Sequence, residues 1–578
     1  MTWLVNRPEC FAAESLAGLV AAYGDFVRPV HGGVVRTNHA NRREVALVIG
    51  GGSGHYPAFA GWVGRGLAHG AVCGNVFASP SASQIVSVVR QAHQGAGVVL
   101  GFGNYSGDVL NFGLAAELLR AGGIETRVLV TSDDIASTHE GDVLSRRGIA
   151  GNLVVFKIAG AAAQRGDSLD EVMRSALRAV ETTVSLGVAF TGCTLPGAKG
   201  DLFTVPPGKM ALGLGIHGEP GLEELPLMRA DALSDMLVER LLEDLAARGW
   251  SAKGRRLAVV VNGLGGVGTD ELLLLYGAVA DRLARHAITV VAPEVGEHVT
   301  SLDMAGLSLT FTVLDDDLEE LWNAPAHTPA FSRPTLRVLP ATIPVAKKPT
   351  PAPVPLSTFA SRRGAKALAD ALGVVHVTMR VNADRLGEID AVAGDGDHGI
   401  GMLRGSEAAE VAAREAIQQD AGARTTLARA AEAWASASGG ASGALWACGL
   451  AALGDVLTDD APVTPDLIVG GLTAALAGVQ RVGGAHLGDK TLLDAAMPFL
   501  NTLAGSAKTS SLAGAWAEAS AAATAGADQT AAIPARRGRA KTHGPVSIGT
   551  PDAGAVSFAL IVQALKDFIG TCQREETL

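Results

Sequence analysis

Short apolar runs that end in glycine-rich loops recur through the first half of the chain. The run 45–49 predicts a buried strand, and it leads directly into the loop 50–55. The runs 98–102 and 126–130 also precede polar loops. Alternating strands and helices are typical of an α/β domain with a largely parallel sheet. Helical patterning is expected to fill 152–187.

Alanine-rich helical patterning replaces the strand pattern after residue 356. The predicted helices span 357–384, 405–418, 424–437, 442–457, 464–479, 489–505 and 511–526. They predict an all-α domain of about eight helices. Six prolines and two lysines between 340 and 356 predict a stiff, exposed linker.

These patterns predict a multi-domain protein. We expect an α/β region of two subdomains, at 1–190 and 191–337. A Pro-rich linker at 338–356 would then lead to an all-α domain at 357–578.

Composition narrows the functional classes. The chain of 578 residues carries a net charge of −11, which disfavours nonspecific binding to nucleic acid or to anionic membranes. Its five cysteines are scattered and form no CxxC pair, as in reduced cytoplasmic proteins. No apolar run reaches the ~20 residues of a membrane span, and the first ten residues lack a signal peptide's apolar region. We expect a cytoplasmic protein without nucleic-acid or membrane partners.

The loop 390–399 places three carboxylates among three glycines. Asp390, Asp395 and Asp397 offer the hard oxygen ligands that suit Mg²⁺, and the glycines free the backbone to turn. The alternative interpretation is a surface turn rich in Gly and Asp without chemistry. The pattern favours a divalent-metal site that holds the phosphates of a nucleotide.

Three polar residues of the α/β region are candidates for chemistry. His55 ends the glycine loop 50–55, which predicts a backbone pressed close to a small polar ligand. Asp108 follows the strand 98–102, at the edge of the sheet where ligands bind, although it could equally be a helix N-cap. His217 lies among several glycines and either faces a cleft or is structural.

Glycine-rich loops of the helical region are candidates for phosphate binding. The loop 439–443 precedes a predicted helix, whose free N–H groups would favour an anion. The loop 483–491 opens another helix, and basic residues surround 538–541. The sequence G-x-x-x-x-G-K-[ST] does not occur, so a P-loop is excluded.

A competing pattern lies at 263–268, which reads Gly-Leu-Gly-Gly-Val-Gly. A predicted strand at 257–261 precedes it, a predicted helix at 270–285 and a strand at 288–291 follow, and Glu294 lies just beyond. This spacing is typical of a dinucleotide-binding unit. It keeps an NAD-dependent oxidoreductase as an alternative, although that function would leave the acidic loop and the helical domain unexplained.

Nine motifs, taken together, resemble those of the single-chain ATP-dependent dihydroxyacetone kinases. Residues 1–335 resemble the ketose-binding K domain through GGGSGH, FASPS, NYSGDVLNF, KIAGAAA, CTLPG and GIHGEPG. Residues 357–575 resemble the nucleotide-binding L domain through DAVAGDGDHG, GGASGALW and GDKTLLDA. The resemblance implies an α/β K domain of two subdomains, an eight-helix barrel for the L domain, and a homodimer in which one chain's L domain covers the other's K domain.

The resemblance also implies roles for individual residues on the ketose side. His217 matches the histidine that holds the ketone as a covalent hemiaminal, and Asp108 matches the base that deprotonates the attacking hydroxyl. His55 matches the hydrogen-bonding partner in this group, and the resemblance implies that it is a third catalytic residue and also a substrate contact. Gly52, Ser53 and Ser79 lie in loops that match substrate contacts.

On the nucleotide side, the resemblance implies ATP and two Mg²⁺ ions. Asp390, Asp395 and Asp397 match the metal ligands that bridge the phosphates, whose charge must be neutralised for phosphoryl transfer. The residues implied in nucleotide binding are His398, Gly399, Gly440, Ser442, Gly443, Thr491 and Arg539.

Departures from the family pattern cluster around the ketose. Gly103 stands where a lysine is usual, Tyr56 where an acidic residue or proline is usual, and Asn75 where an aspartate is usual. The late loop 541–555 also departs from its usual pattern. Since glycine in place of lysine should open volume, we expect a four-carbon ketose such as erythrulose, with dihydroxyacetone as the smaller candidate.

Two further alternatives remain within the wider family. A ketose-sensing regulator would need no phosphoryl transfer, but the fused domains and the three retained aspartates disfavour it. A phosphoenolpyruvate-dependent phosphotransferase is disfavoured because the L domain is linked to the K domain and no phosphohistidine-carrier domain is present.

Overall fold

The computed structural model describes residues 2–37, 43–138, 142–219, 221–334, 353–537 and 539–574. It divides into two compact units, Met1–Thr342 and Ile343–Leu578. The first unit contains two large sheets with helices, and the second is helical. Most of the predicted linker at 338–356 lies outside the described residues.

The first sheet has six strands in the order β1-β2-β4-β3-β5-β6. Its strands are β1 (Val27–Val30), β2 (Gly33–Arg36), β3 (Ala46–Ser53), β4 (Gly70–Val76), β5 (Val98–Gly103) and β6 (Thr126–Thr131). The helices of this region are α1 (Phe11–Ala22), α2 (Ala82–Ala92) and α3 (Ser106–Ala121). Strands β4, β3, β5 and β6 are parallel, as predicted, whereas β1 and β2 pair in an antiparallel hairpin. The loops after β3 and β5 therefore emerge at one edge of the sheet.

The second sheet has seven strands and is mainly antiparallel. Its strands are β7 (Thr183–Ala189), β8 (Lys209–Leu212), β9 (Glu223–Pro226), β10 (Arg256–Gly263), β11 (Thr289–Val290), β12 (Glu294–Glu297) and β13 (Gly306–Leu314). The path runs β11-β10-β13-β7-β8-β9, and β12 also pairs with β10. Only β11 and β12 run parallel to a neighbour within the described strands.

Five further helices and a small hairpin complete the first unit. They are α4 (Gly151–Arg165), α5 (Leu169–Thr182), α6 (Ala230–Ala247), α7 (Thr269–Arg285) and α8 (Asp316–Asn323), with β14 (Ala326–His327) pairing to β15 (Ser332–Arg333). Helix α4 contacts strands of both sheets and is buried from Gly151 to Ala163. A side chain at Gly160 would meet the backbone of Leu67, which explains the small residues of this helix.

The prediction that helix fills 152–187 is wrong at both its middle and its end. Helix α4 stops at Gly166, whose φ of +100° suits glycine, and α5 begins after a capping box at Ser168. The chain then enters β7 directly at Thr183. Strand β7 belongs to the second sheet, although it precedes the boundary between the two subdomains that the sequence placed after residue 190.

The second unit contains eight α-helices among its described residues. They are α9 (Phe359–Ala391), α10 (His398–Gln418), α11 (Ala423–Ser438), α12 (Gly440–Val456), α13 (Pro465–Gly483), α14 (Leu493–Ser506), α15 (Leu512–Gln529) and α16 (Ala553–Arg574). Each helix packs against the next in sequence, and α16 returns to pack against α9. The helices therefore form a closed ring, which agrees with the predicted eight-helix barrel.

Helix α16 is apolar enough over Ala553–Cys572 to cross a membrane by length and composition alone. The expectation from the sequence concerned an uninterrupted apolar run, and Lys566 and Asp567 interrupt this helix. Its apolar side chains Val556, Ile561, Val562 and Ile569 are buried in the core of the helical ring. Packing within the ring accounts for this composition, as it does for core helices in general.

Candidate active site

The glycine loop after β3 packs closely against protein atoms. A Cβ atom added to Gly51 would lie 2.6 Å from the ring of Phe59, and one on Gly52 would lie 2.8 Å from the backbone nitrogen of Ala78. The hydroxyl of Ser53 donates to the carbonyl of Gly74 at 2.6 Å. The glycines are thus needed for close packing at the end of the strand, which places His55 at the edge of the sheet.

Two histidines far apart in sequence meet at this edge. The Nε2 atoms of His55 and His217 are 3.0 Å apart. On the other side of its ring, His55 places Nδ1 2.7 Å from the carbonyl oxygen of Thr300, so Nδ1 must be the donor. The ring of Phe77 stacks on His55 and meets His217 edge-on. Burial, and then the charge of His217, lower the pKa of His55 to about 3.

A series of charged side chains lies on the Nδ1 side of the His217 ring. Its Nδ1 lies 2.9 Å from Oε1 of Glu219, and its backbone N–H donates to Oε2 of the same carboxylate at 3.0 Å. Arg147 lies 3.7 Å from Glu219 and forms a close ion pair with buried Asp134. Burial opposes the ionised form of Glu219, but the hydrogen bond and the charge of His217 prevail and lower its pKa to about 2.

Asp108 lies in the first turn of α3 and is buried. The residue at the N-cap is Tyr105, and Asp108 makes no capping hydrogen bond, so the N-cap alternative is wrong. Burial raises the pKa of Asp108 to about 6, against a hydrogen bond from Ser79 and the nearby charge of His217. Its Oδ1 has no hydrogen-bond partner among the described residues. A carboxylate in this state is suited to accept a proton near neutral pH.

The glycine at 103 does not leave the open volume that the sequence suggested. A Cβ atom there would lie 3.1 Å from the ring of Tyr105 and 3.1 Å from the carbonyl oxygen of Gly148. The same Tyr105 ring packs edge-on against His217, with ring centroids 4.9 Å apart. Tyr105 therefore occupies the space beside Gly103, and it is a wall of the site that the motif analysis did not single out.

The two other departures lie outside this group of buried residues. The side chain of Tyr56 is 45% exposed, although its backbone carbonyl accepts a hydrogen bond from Thr300. Asn75 is exposed, and its Oδ1 accepts from the backbone N–H of Val76.

The acidic loop of the second unit forms a cluster of three carboxylates. Asp390 lies in the last turn of α9, and Asp395 and Asp397 lie in the loop before α10. One carboxylate oxygen from each residue lies within 4.8 Å of the others. The N–H of Gly396, at a φ of +77°, donates to Oδ2 of Asp390 and holds the loop in place. Three converging carboxylates fit a hard divalent cation such as Mg²⁺.

His398 and Ser442 come together beside this cluster. Nδ1 of His398 lies 3.2 Å from the hydroxyl of Ser442, and its Nε2 lies 3.0 Å from that of Ser557. Gly439 and Gly440 have φ near +60°, and no described atom lies within 4 Å of a Cβ added to either. Their backbone therefore faces open space at the start of α12, where N–H groups can meet an anion.

Two of the implied nucleotide-binding glycines serve packing. A Cβ on Gly399 would lie 1.9 Å from the carbonyl oxygen of Ala383, so this glycine allows α10 to pack against α9. A Cβ on Gly443 would lie 3.0 Å from that of Ser438. Arg539 begins a 3-10 helical segment, and its side chain lies outside the described residues.

Three charged residues that sequence reasoning did not select surround Thr491. Asp494 accepts the backbone N–H groups of Thr491 and Gly488 at 2.7 and 2.6 Å. Nζ of Lys490 donates to the backbone carbonyls of Ile533, Ser547 and Thr550. Burial raises the pKa of Asp552 to about 7, and repulsion from Asp494 and Asp390 adds to this, although the N–H of Ala555 opposes it. Lys490 and Asp494 could have been selected from the sequence, because both lie in the motif GDKTLLDA.

The glycine loop 263–268 is filled by protein atoms. Gly265 has a φ of +120°, and a Cβ on it would lie 2.0 Å from the carbonyl oxygen of Leu302. Glu294, which a dinucleotide site would use for a ribose hydroxyl, forms an ion pair with Arg333. Because protein atoms already contact the glycine loop and the Glu294 carboxylate, neither is available to a dinucleotide, which argues against the NAD-dependent oxidoreductase.

Comparison with known proteins matches both units. Residues 17–330 match the model of the Dak1 domain, and residues 392–567 match that of the DAK2 domain. The chain is 50% identical to the L-erythrulose 1-kinase of Mycolicibacterium smegmatis, over 98% of this chain and 100% of that one. It is 50% identical to the L-erythrulose kinase of Pectobacterium atrosepticum, over 98% and 96%, and 46% identical to the D-erythrulose kinase of M. smegmatis, over 98% and 99%.

A solved structure resembles the chain over its whole length. It is the dihydroxyacetone kinase from C. freundii in complex with AMP-PNP and Mg²⁺, with 30% identity and a TM-score of 0.59. The alignment covers 98% of this chain and 99% of that one. With both domain models matched and full-length relatives at 50% identity, the chain belongs to the dihydroxyacetone kinase family.

Proposed function

We propose that this protein is a kinase that transfers the γ-phosphoryl group of ATP to a terminal hydroxyl of erythrulose, with the L enantiomer as its preferred substrate. The observation that carries the proposal is the presence, on one chain, of a His-His-Asp group, with His55 and Asp108 buried and His217 partly exposed, and a three-carboxylate cluster beside a glycine-rich helix start. The names and full-length similarity of the erythrulose kinases support the choice of sugar.

On the ketose side, His217 holds the substrate carbonyl as a hemiaminal through Nε2. A covalent anchor retains a small polar sugar and rejects polyols such as glycerol, which have no carbonyl. Asp108 accepts the proton of the hydroxyl that attacks phosphorus. Its pKa, raised to about 6 by burial, suits a general base.

On the nucleotide side, Asp390, Asp395 and Asp397 would hold Mg²⁺, with two ions expected from the family. When bound, the metal neutralises and orients the phosphates, which is the main requirement of phosphoryl transfer. The open backbone at Gly439 and Gly440 receives phosphate oxygens through N–H groups.

The proposal includes the assembly and the compartment. A homodimer predicts a mass in light scattering of twice the chain mass of 58.9 kDa. All five cysteines are reduced thiols, which fits the reducing cytoplasm.

The substrate is tested by an ADP-coupled assay with Mg²⁺ on L-erythrulose, D-erythrulose, dihydroxyacetone and glycerol. We expect the highest kcat/KM for L-erythrulose and no turnover of glycerol. A higher kcat/KM for dihydroxyacetone would keep the kinase and refute the assigned sugar. No turnover of any ketose would refute the proposed function.

A further inference from the structure

The hydrogen bonds around the two histidines leave one proton to account for. Nδ1 of His55 faces a carbonyl oxygen and must donate to it. Nδ1 of His217 faces the Glu219 carboxylate and must donate as well. In neutral imidazoles both Nε2 atoms would then be acceptors. Two lone pairs would face each other across 3.0 Å, which is a hydrogen-bond distance.

A single shared proton removes this conflict. With one Nε2–H between the rings, one nitrogen donates and the other accepts, and the pair carries one positive charge. Glu219 supplies the opposite charge at 2.9 Å. Arg147 lies 3.7 Å from the Glu219 carboxylate and is itself paired with Asp134, so the balancing charge is fixed in place.

We propose that Glu219 is a positioning residue that keeps His217 protonated at Nδ1 and retains a single proton between the Nε2 atoms of His55 and His217. The inference rests on the proposed function, because it assigns this proton to the ketone oxygen when the hemiaminal forms. Other groups that face His217 are Tyr105, whose buried hydroxyl has no partner in the described part of the chain, and Asp108.

The step balances without another reactant. The shared proton moves to Nε2 of His55, which frees the lone pair on Nε2 of His217. That lone pair forms the bond to the carbonyl carbon, the carbonyl π bond breaks, and its oxygen takes the proton from His55. The ring of His217, now substituted at Nε2 and protonated at Nδ1, keeps the positive charge beside Glu219.

Glu219→Gln keeps the size of the side chain and an acceptor oxygen but removes the charge. Without that charge the pair should lose its proton at lower pH. We therefore expect the alkaline limb of the kcat/KM profile for the ketose to move down by about one to two pH units. Glu224→Gln is the matched control, because Glu224 is half exposed on β9 and pairs with Lys209.

The pH profile of kcat/KM distinguishes a positioning role of Glu219 from a purely structural role. A Glu219→Gln profile that keeps the wild-type shape at a lower plateau would overturn the proposal. Rescue of Glu219→Gln activity towards the wild-type level as the pH falls would support it.

The protonation state of the His217 ring can be measured directly by NMR, without an activity assay. In the full-length protein with ¹⁵N-labelled histidine, without ketose or ATP, we expect the His217 ring near neutral pH to carry a proton at Nδ1 and share one at Nε2. The signals are assigned by their loss in His217→Asn. A neutral His217 ring would overturn the proposal even if the ketose assay succeeds, whereas failure of that assay alone would refute the proposed function.

Discussion

Burial sets the charge of individual residues in the proposed ketose site. His55 is fully enclosed and titrates near pH 3, so it is a neutral ring beside His217. Asp108 titrates near pH 6, so at neutral pH it is ionised but poorly solvated. This combination stores unfavourable free energy in Asp108, as is common where function requires a perturbed group.

Asp108→Asn should therefore remove activity and add stability. A shift from 3.8 to about 6 corresponds to about 3 kcal/mol at about 1.36 kcal/mol per pH unit. Because the folded pKa is raised, this cost is full above pH 6 and disappears as the pH falls below 4. We expect a higher melting temperature for the variant at about pH 8 and none of this gain at about pH 4.

The same variant should lose activity on the order of 10²-fold or more, the usual range for a general base. Asp281→Asn is the control, because Asp281 is exposed on α7. A variant that is less stable than wild type at about pH 8 would contradict the account of Asp108.

At the scale of elements, apolar runs predicted three of the four buried parallel strands and missed β4. The runs 45–49, 98–102 and 126–130 fall within β3, β5 and β6 apart from the first residue of the first run. The pattern missed β7 because α5 passes into it without a breaker. The β-branched pair Thr182 and Thr183 was the remaining signal.

The glycine loop 263–268 also marks a limit of sequence patterns. Glycines that allow a phosphate to approach and glycines that allow a neighbouring backbone to approach look the same in a sequence. Here the neighbour is residue Leu302, which no local pattern connects to Gly265.

Gly265→Ala should destabilise the fold without changing the binding of any nucleotide. Its Cβ would clash with the Leu302 carbonyl at a φ that disfavours alanine, and we expect a loss of about 2–4 kcal/mol in unfolding free energy. Gly277→Ala, at an open position within α7, should instead stabilise by about 0.5–1 kcal/mol. Denaturant unfolding measures both changes. NADH binding that Gly265→Ala abolishes would contradict this account.

At the scale of the whole molecule, the motifs indicated candidate residues but not how those residues are held. The three aspartates of the acidic loop are close in sequence, so their convergence could be expected. Glu219, Arg147 and Asp134 come from separate segments and meet only through the packing of the first unit. Glycine at position 103, where the family usually has lysine, suggested open volume. The ring of Tyr105 occupies that space, because a neighbouring side chain can fill the volume that a smaller residue leaves.

Asp395→Asn should separate phosphoryl transfer from ketose binding. The loss of one of three carboxylates weakens metal binding in the second unit, so we expect turnover to fall on the order of 10²-fold. Calorimetric affinity for L-erythrulose should not change, because the residues proposed to bind the ketose lie in the first unit. Asp528→Asn, at an exposed position on α15, is the control. Unchanged turnover at limiting Mg²⁺ would remove Asp395 from the metal site.

The most direct test of the central claim is the transfer of γ-³²P from ATP to L-erythrulose by the full-length protein. The wild type is run beside His217→Ala and Asp395→Asn, with glycerol as the acceptor control. The account predicts labelled erythrulose phosphate with the wild type, little with either variant, and no labelled glycerol phosphate. Undiminished transfer by His217→Ala, or equal labelling of glycerol, would contradict a carbonyl-anchored ketose kinase.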